Sequence, residues 1–514
     1  MHYLESVGGA FNDEVSSYID SILKKMESSD VMENFVAHVG LLRDPGLLFS
    51  ELKPRLVAIL GDKLNKIVSL QQLQDLKDLI EKTTRELSSV NIKFKSLADY
   101  STWLKNFDSS KYLLEIPGQY NVDSKPDPSE HILIESFDDE VIFLVGVYVF
   151  QSLRKPRTLT MKGNNGVNYK FLIKVGEDLR QDQRLQRIFS EMNGLLSLDA
   201  VSRKLGCKVE IYGIFPLSTN VGIIQMLENV ESLKDFMIRS EPKRGYVNNF
   251  MTTRSIVNIC KSPESFFTLR QQFVASYSTM CVAHYILGIG DRHLDNFLIN
   301  YRTCTIVGID FGYVFGTSVQ ILGVPELVPF RLTKQITDVV EPLGVRAFFQ
   351  PHMTRCMKIL RENSDSLMNI LDVFVKEPTI NWIHEAKKQS VQMSIEGQIE
   401  NCELKFELDW SANIHNIDHW YPKQKMQTVW RKFRGDNPVL ILQEEINLSR
   451  KNQIVGKNKL FPVDKILNVI HNARLPLRYP KSRLTPENQV ECLINLATDP
   501  LILARMYIGW ESWF

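Results

Sequence analysis

The stretch Gly288–Gly312, GIGDRHLDNFLINYRTCTIVGIDFG, constrains this chain more than any other. Asn296 follows Asp291 by five residues, and Asp310, inside an Asp-Phe-Gly, follows Asn296 by fourteen. Between them Phe297–Asn300 and Thr305–Ile309 alternate as the two arms of a hairpin do, which returns Asp310 to the side of Asn296. A lone Asp-Phe-Gly occurs by chance, and an Asp or Asn in a turn is commonly a cap. Three such groups at fixed spacing in one stretch carry more weight. Asn296 and Asp310 are hard oxygen donors of the kind that hold Mg²⁺.

This set of groups suits phosphoryl transfer, which needs a carboxylate to orient the attacking hydroxyl and take its proton, and metal ions that bridge the phosphates. Protein kinases space a catalytic-loop Asp, an Asn and a DFG Asp in this way. Phe171–Arg184, FLIKVGEDLRQDQR, supports the reading. Lys174 ends its apolar run and can reach nucleotide phosphates, with Asp182 and Glu177 as candidates to pair with it. A G-x-G-x-x-G or Walker motif occurs nowhere in the sequence.

Length and composition set outer bounds. The 514 residues are enough for about two to four packed units. Lys and Arg total 61 against 60 Asp and Glu, so there is no global basic field, and any nucleic-acid contact is local or made by another chain. The seven cysteines are scattered and never form C-x-x-C, which argues against a disulfide framework or zinc site and suits a reducing compartment. Met1–Ser16 does not read as a signal peptide. Val141–Phe150 is too short to span a bilayer and reads as buried strand; no membrane association is expected.

Residues 1–107 read as a helical scaffold punctuated by Pro54 and Gly61. Glu115–Pro128 is turn-rich. Short β-type runs follow at His131–Glu135, Val141–Phe150, Arg157–Met161, Tyr169–Val175 and Val209–Phe215, interrupted by a helical Asp182–Leu196. From Leu233 the pattern is mainly helical apart from the hairpin near Phe297–Asp310. The fold class is therefore α+β, with two lobes joined near Gln225–Glu228 and a nucleotide expected in the cleft between them.

Asp291-Arg292-His293 reverses the His-Arg-Asp order of ordinary protein kinases. GIGDRHLDN resembles the catalytic loop shared by phosphoinositide kinases and their protein-kinase relatives. EIPGQY (Glu115–Tyr120), VPELVPFRLT (Val324–Thr333), DVFVKEP (Asp372–Pro378), WYPKQK (Trp420–Lys425) and the terminus Ala497–Phe514 extend the likeness to the phosphatidylinositol-3-kinase-related protein kinases. The resemblance implies a bilobal kinase domain of the phosphoinositide-kinase type, preceded by a helical segment and ended by a short helical FATC element. It implies boundaries at 1–107 for the helical segment, 108–227 for the N-lobe, 228–482 for the C-lobe and 483–514 for FATC.

It further implies that Asp291 is the base and that His293 stabilises charge on the transferred phosphoryl. Ser152 and Lys155 would belong to a serine-bearing phosphate loop at Phe150–Pro156, and Lys174 would pair with Asp182. Tyr212, in the strand before Ile214–Asn220, would line the adenine pocket, with Gln225, Met226 and Leu227 as the hinge. The implied cofactors are ATP and Mg²⁺ or Mn²⁺.

Lipid kinases read an anionic headgroup with basic residues, yet Phe311–Phe330 contains no Lys or Arg, which favours a protein substrate. By resemblance that substrate carries Ser or Thr followed by Gln. The matched stretches lie nearest the DNA-damage-response branch of the family. That implies a nuclear kinase acting in double-strand break repair by non-homologous end joining, meeting the Ku heterodimer and DNA ends mainly through regions absent from this chain. A catalytically impaired scaffold and a phosphoinositide kinase are the alternatives.

Overall fold

The computed structural model describes residues 95–97, 102–119, 130–138, 140–141, 157–175, 178–219, 221–238, 251–321, 326–376, 420–452 and 483–506. The helical run expected before residue 95, the phosphate loop with Ser152 and Lys155, Glu177, and the last residues from Tyr507 lie outside them. The described residues of Met1–Gly146, Phe150–Leu179 and Gly213–Met226 pack as one unit, and those of Arg180–Tyr212 and Leu227–Phe514 as another.

The first unit is built on a five-stranded antiparallel sheet. Its strands are β2 (Ile134–Phe137), β4 (Arg157–Gly163), β5 (Asn168–Val175), β6 (Ile214–Pro216) and β7 (Val221–Gln225), in the order β2-β4-β5-β7-β6. β1 (Lys95–Ser96) pairs with β3 (Glu140–Val141). Residues 95–96 therefore form a strand where the apolar spacing predicts helix; the short helix α1 (Thr102–Lys105) follows. Alternation along β4 and β5 sends Leu159, Met161, Phe171 and Ile173 into a core with Leu104, Ile116 and Val221. Trp103, Phe107 and Phe137 close its edge through edge-on ring contacts.

The predicted strand Val209–Phe215 forms only at its end, as β6; Val209–Gly213 is irregular. A side chain replaces the ladder there, because Gln186 Oε1 accepts the Tyr212 N–H at 3.2 Å.

The second unit is mostly helical. It contains α2 (Arg180–Leu198), α3 (Ala200–Leu205), α4 (Leu233–Ile238), α5 (Met251–Ile259) and α6 (Pro263–Leu287). The helices α7 (Thr317–Ile321), α8 (Lys334–Thr337), α9 (Val345–Glu362), α10 (Ser364–Lys376), α11 (Trp420–Arg434), α12 (Pro438–Asn452), α13 (Pro486–Thr498) and α14 (Pro500–Leu503) follow. α2 and α3 fall within the stretch expected as N-lobe, yet they pack here. The stripe Leu185, Ile188, Phe189, Met192 and Leu196 joins the large core of this unit.

α6 is the axis of that core. Ser262 and Ser265 form a capping box at its start. Every residue from Phe273 to Leu287 is buried, which suits a helix that is apolar all round. Gly288, at φ 62°, ends it by donating to the His284 and Tyr285 carbonyls. The expected hairpin is β9 (Phe297–Asn300) and β10 (Ile306–Gly308), and β8 (Val230–Ser232) adds a third strand that pattern reading misses.

In α13, Val490, Leu493, Ile494 and Ala497 are buried. Leu496, Ile502 and Met506 pack with Leu327, Val328, Val439 and Ile446. Leu501, in the first turn of α14, is exposed. The described cysteines are all free. Among the described residues no helix is long and apolar enough to cross a membrane, and no three His, Cys, Asp or Glu cluster as a metal site.

Candidate active site

The loop that follows α6 is fixed by backbone hydrogen bonds to the segment after the hairpin. Gly290 N–H donates to Tyr313 O at 2.9 Å, Phe315 N–H to Leu287 O at 2.8 Å, and Gly316 N–H to Gly288 O at 2.8 Å. Two glycines permit this approach. A Cβ on Gly288 would stand 2.6 Å from Gly316 N, and one on Gly290 would stand 2.0 Å from Ser318 Oγ.

Asp291 and Asp310 both adopt left-handed backbone, at φ 57° and φ 56°. Non-glycine residues adopt that region rarely and at a cost, and such conformations persist where surrounding contacts enforce them. Here the contacts are identifiable. Asn296 Nδ2 donates to Asp291 O at 2.7 Å, Ile309 N–H donates to Asn296 O at 3.1 Å, and Glu326 Oε2 accepts the Asp291 N–H at 2.8 Å. The hairpin thus joins Asn296 to the residue before Asp310. With Nδ2 committed as a donor, Asn296 presents Oδ1 as its acceptor, and the Asp310 side chain is exposed. An amide oxygen and a carboxylate, both held from behind, fit a hard divalent cation.

Arg292 is 1% exposed and lies beneath the loop. Its Nε donates to Gly290 O at 2.8 Å and its Nη1 to Ile309 O at 2.9 Å, while Nη2 donates to Asp310 O. The guanidinium also faces the Phe297 and Phe311 rings. Burial pulls its pKa down, and the charges of Asp310, Glu326 and Asp291 oppose that shift. His293 is half-buried, and burial likewise lowers its pKa against the pull of Asp291 and Asp295.

Asp182, expected beside Lys174, accepts the Phe311 N–H at 3.2 Å, and Gln181 Nε2 donates to Phe311 O at 2.7 Å. The first turn of α2 thereby clamps the Phe of the Asp-Phe-Gly, whose ring meets Phe189 and His284 edge-on. Tyr212 is not in a strand. It is buried, and burial first, then Asp182 and Asp310, push its hydroxyl pKa up, so the phenol stays neutral.

In the first unit Lys174 is half-buried near the end of β5, in register with Gly222 of β7. Gln225 is exposed at the end of β7 and half-buried Met226 donates its N–H to Lys170 O at 3.0 Å; Leu227, half-buried, belongs to the second unit. Ser152 and Lys155 lie outside the described residues.

Two site residues escape sequence reading. Arg292 sits inside the motif, but nothing in the sequence marks it as buried. Glu326 is 35 residues from Asp291. It is 5% exposed, and burial pushes its pKa up to about 7, against hydrogen bonds from Asp291 N–H and Ser318 and the charge of Arg292. Glu326 borders a cavity of about 70 Å³ lined also by Gly290, Ser318, Glu445, Leu493 and Leu496.

The phosphatidylinositol 3- and 4-kinase family matches residues 168–383, and the FATC domain matches residues 483–514. The DNA-dependent protein kinase catalytic subunit of Gallus gallus is 33% identical over 100% of this chain and 13% of its own length. Its counterpart in Xenopus laevis is 34% identical over 81% of this chain and 11% of its own length. The serine/threonine-protein kinase mTor of Drosophila melanogaster is 30% identical over 77% of this chain and 16% of its own length. The chain therefore spans a small fraction of the length of the curated relatives it matches.

Proposed function

The chain, with its kinase and FATC domains, belongs to the phosphatidylinositol-3-kinase-related protein kinases, and from that premise we propose that it transfers the γ-phosphoryl group of ATP to serine or threonine followed by glutamine. The observation that carries this reading is the joining of Asp291, Asn296 and Asp310 through the Asn296–Asp291 and Ile309–Asn296 hydrogen bonds.

In this reading Asp291 orients the substrate hydroxyl and takes its proton. Asn296 Oδ1 and the Asp310 carboxylate would hold Mg²⁺ or Mn²⁺, which would supply neutralisation of the phosphate charge. His293, kept largely neutral by burial, donates a hydrogen bond to the transferred group. Lys174, with Ser152 and Lys155, engages the phosphates, and Asp182 fixes the Phe311 backbone in addition to any role toward Lys174. Tyr212 and the hinge Gln225–Leu227 face the adenine.

The substrate is protein rather than lipid, because Phe311–Phe330 carries no cation to pair with an inositol phosphate. Similarity to DNA-dependent protein kinase catalytic subunits supports a nuclear role in double-strand break repair by non-homologous end joining. The Ku heterodimer and DNA ends would then be partners of a longer polypeptide. The test is incubation with Mg-ATP and either a Ser-Gln peptide or mixed phosphoinositide vesicles. Peptide phosphorylation above the lipid rate is expected; the reverse order overturns the substrate assignment.

A further inference from the structure

We propose that Glu326 is a positioning residue for catalysis, whose carboxylate holds the left-handed peptide at Asp291 and so aims the Asp291 side chain. The inference rests on the reading of Asp291 as the base.

The peptide units around Asp291 are held at each polar group. Gly290 N–H donates to Tyr313 O, and Gly290 O accepts from Arg292 Nε. Asp291 O accepts from Asn296 Nδ2. All of these partners belong to the loop or the segment just after the hairpin. The Asp291 N–H differs, because its acceptor, Glu326 Oε2 at 2.8 Å, comes from 35 residues away.

A buried carboxylate is an expensive acceptor for one amide and the Ser318 hydroxyl, since burying charge costs several-fold more than burying a carbonyl that would accept as well. Its reach explains its use. A Cβ on Gly290 would stand 2.5 Å from Glu326 Oε2, so the carboxylate rests directly on the loop backbone. Asp291 at φ 57° turns its side chain in a direction that ordinary backbone would not give. Without an acceptor the buried N–H favours a peptide flip, and the carboxylate leaves the line of the substrate hydroxyl.

Reach and charge are separable at Glu326. Glu326→Gln keeps an oxygen at the same distance and removes the charge. Glu326→Asp keeps the charge and shortens the side chain by one methylene. Both are made in the full chain and assayed with Mg-ATP and a Ser-Gln peptide. Glu326→Gln should keep kcat within about fivefold of the parent. Glu326→Asp should lower kcat by about tenfold to a hundredfold, with KM for peptide and affinity for Mg-ATP unchanged.

Amide hydrogen exchange of the peptide spanning residues 288–296 gives a readout that does not depend on turnover. Glu326→Asp should speed its exchange, and Glu326→Gln should not. The opposite order of the two variants, in kcat or in exchange, overturns the proposal, as does equal loss in both. An Asp291→Asn chain that retains turnover would instead refute the base assignment, whatever the Glu326 variants show.

Discussion

Asn296 Nδ2 donates to the main-chain carbonyl of Asp291 at 2.7 Å, so one side chain braces the proposed base and keeps its Oδ1 for the proposed metal ion. Asp310 has no such second task. Asp310→Ala should weaken Mg-ATP binding and catalysis together, whereas Asn296→Ala should also loosen the loop. Isothermal titration with Mg-ATP should give an affinity loss of about tenfold or more for both. Unchanged nucleotide affinity in Asp310→Ala would contradict its assignment as a ligand.

Arg292 ties three main-chain carbonyls from two segments with one planar fork. Lysine cannot reproduce that geometry. Arg292→Lys should therefore cost about 2–3 kcal/mol of stability, by the loss of buried charge-assisted hydrogen bonds. Turnover should fall with it, and a denaturant midpoint equal to that of the parent would show the fork to be dispensable.

Asp338 is buried, and its Oδ1 has no hydrogen-bond partner among the described residues. Burial pushes its pKa up to about 7. A carboxyl raised on folding binds more protons in the folded state than in the unfolded one. Its contribution is complete below its ordinary range near pH 4 and is lost as pH rises to about 7. Asp338→Asn should remove that loss and gain roughly 1–3 kcal/mol at pH 8 relative to the parent, with little gain at pH 4. Thermal midpoints across this range check it; an equal effect at both ends would show that ionisation is not the cause.

Leu496 of α13 is 1% exposed and packs in one cluster with Leu327 and Val328, which follow Glu326. Leu496→Ala should cost about 2–4 kcal/mol. Because the cavity left lies beside Glu326, kcat should fall more than KM rises. A destabilised variant with normal turnover at low temperature would confine the FATC element to a role in stability.

The sequence made the catalytic stretch readable because its chemistry is local. Asp291, Asn296 and Asp310 sit close in the chain, and period-two alternation marks the hairpin between them. The β4–β5 pair was readable for the same reason. What escaped depends on tertiary contact. β8 has too few residues for a pattern and is a strand because β9 pairs with it. Val209–Gly213 has β-type composition, but Gln186 and Asn193 of α2 take its backbone groups. Arg292 and Glu326 carry charges that composition assigns to the surface, and burial is compensated by partners up to 35 residues away.

The base assignment is tested most directly by single-turnover phosphotransfer from labelled ATP to a Ser-Gln peptide, comparing the parent chain with Asp291→Asn. The substitution removes the proton acceptor and leaves Asn296 and Asp310 in place. Transfer by the parent, a fall of about 10²–10⁴-fold in the variant, and equal Mg-ATP affinity in both are expected. Transfer by the variant within a factor of a few of the parent would place the base elsewhere and contradict that assignment.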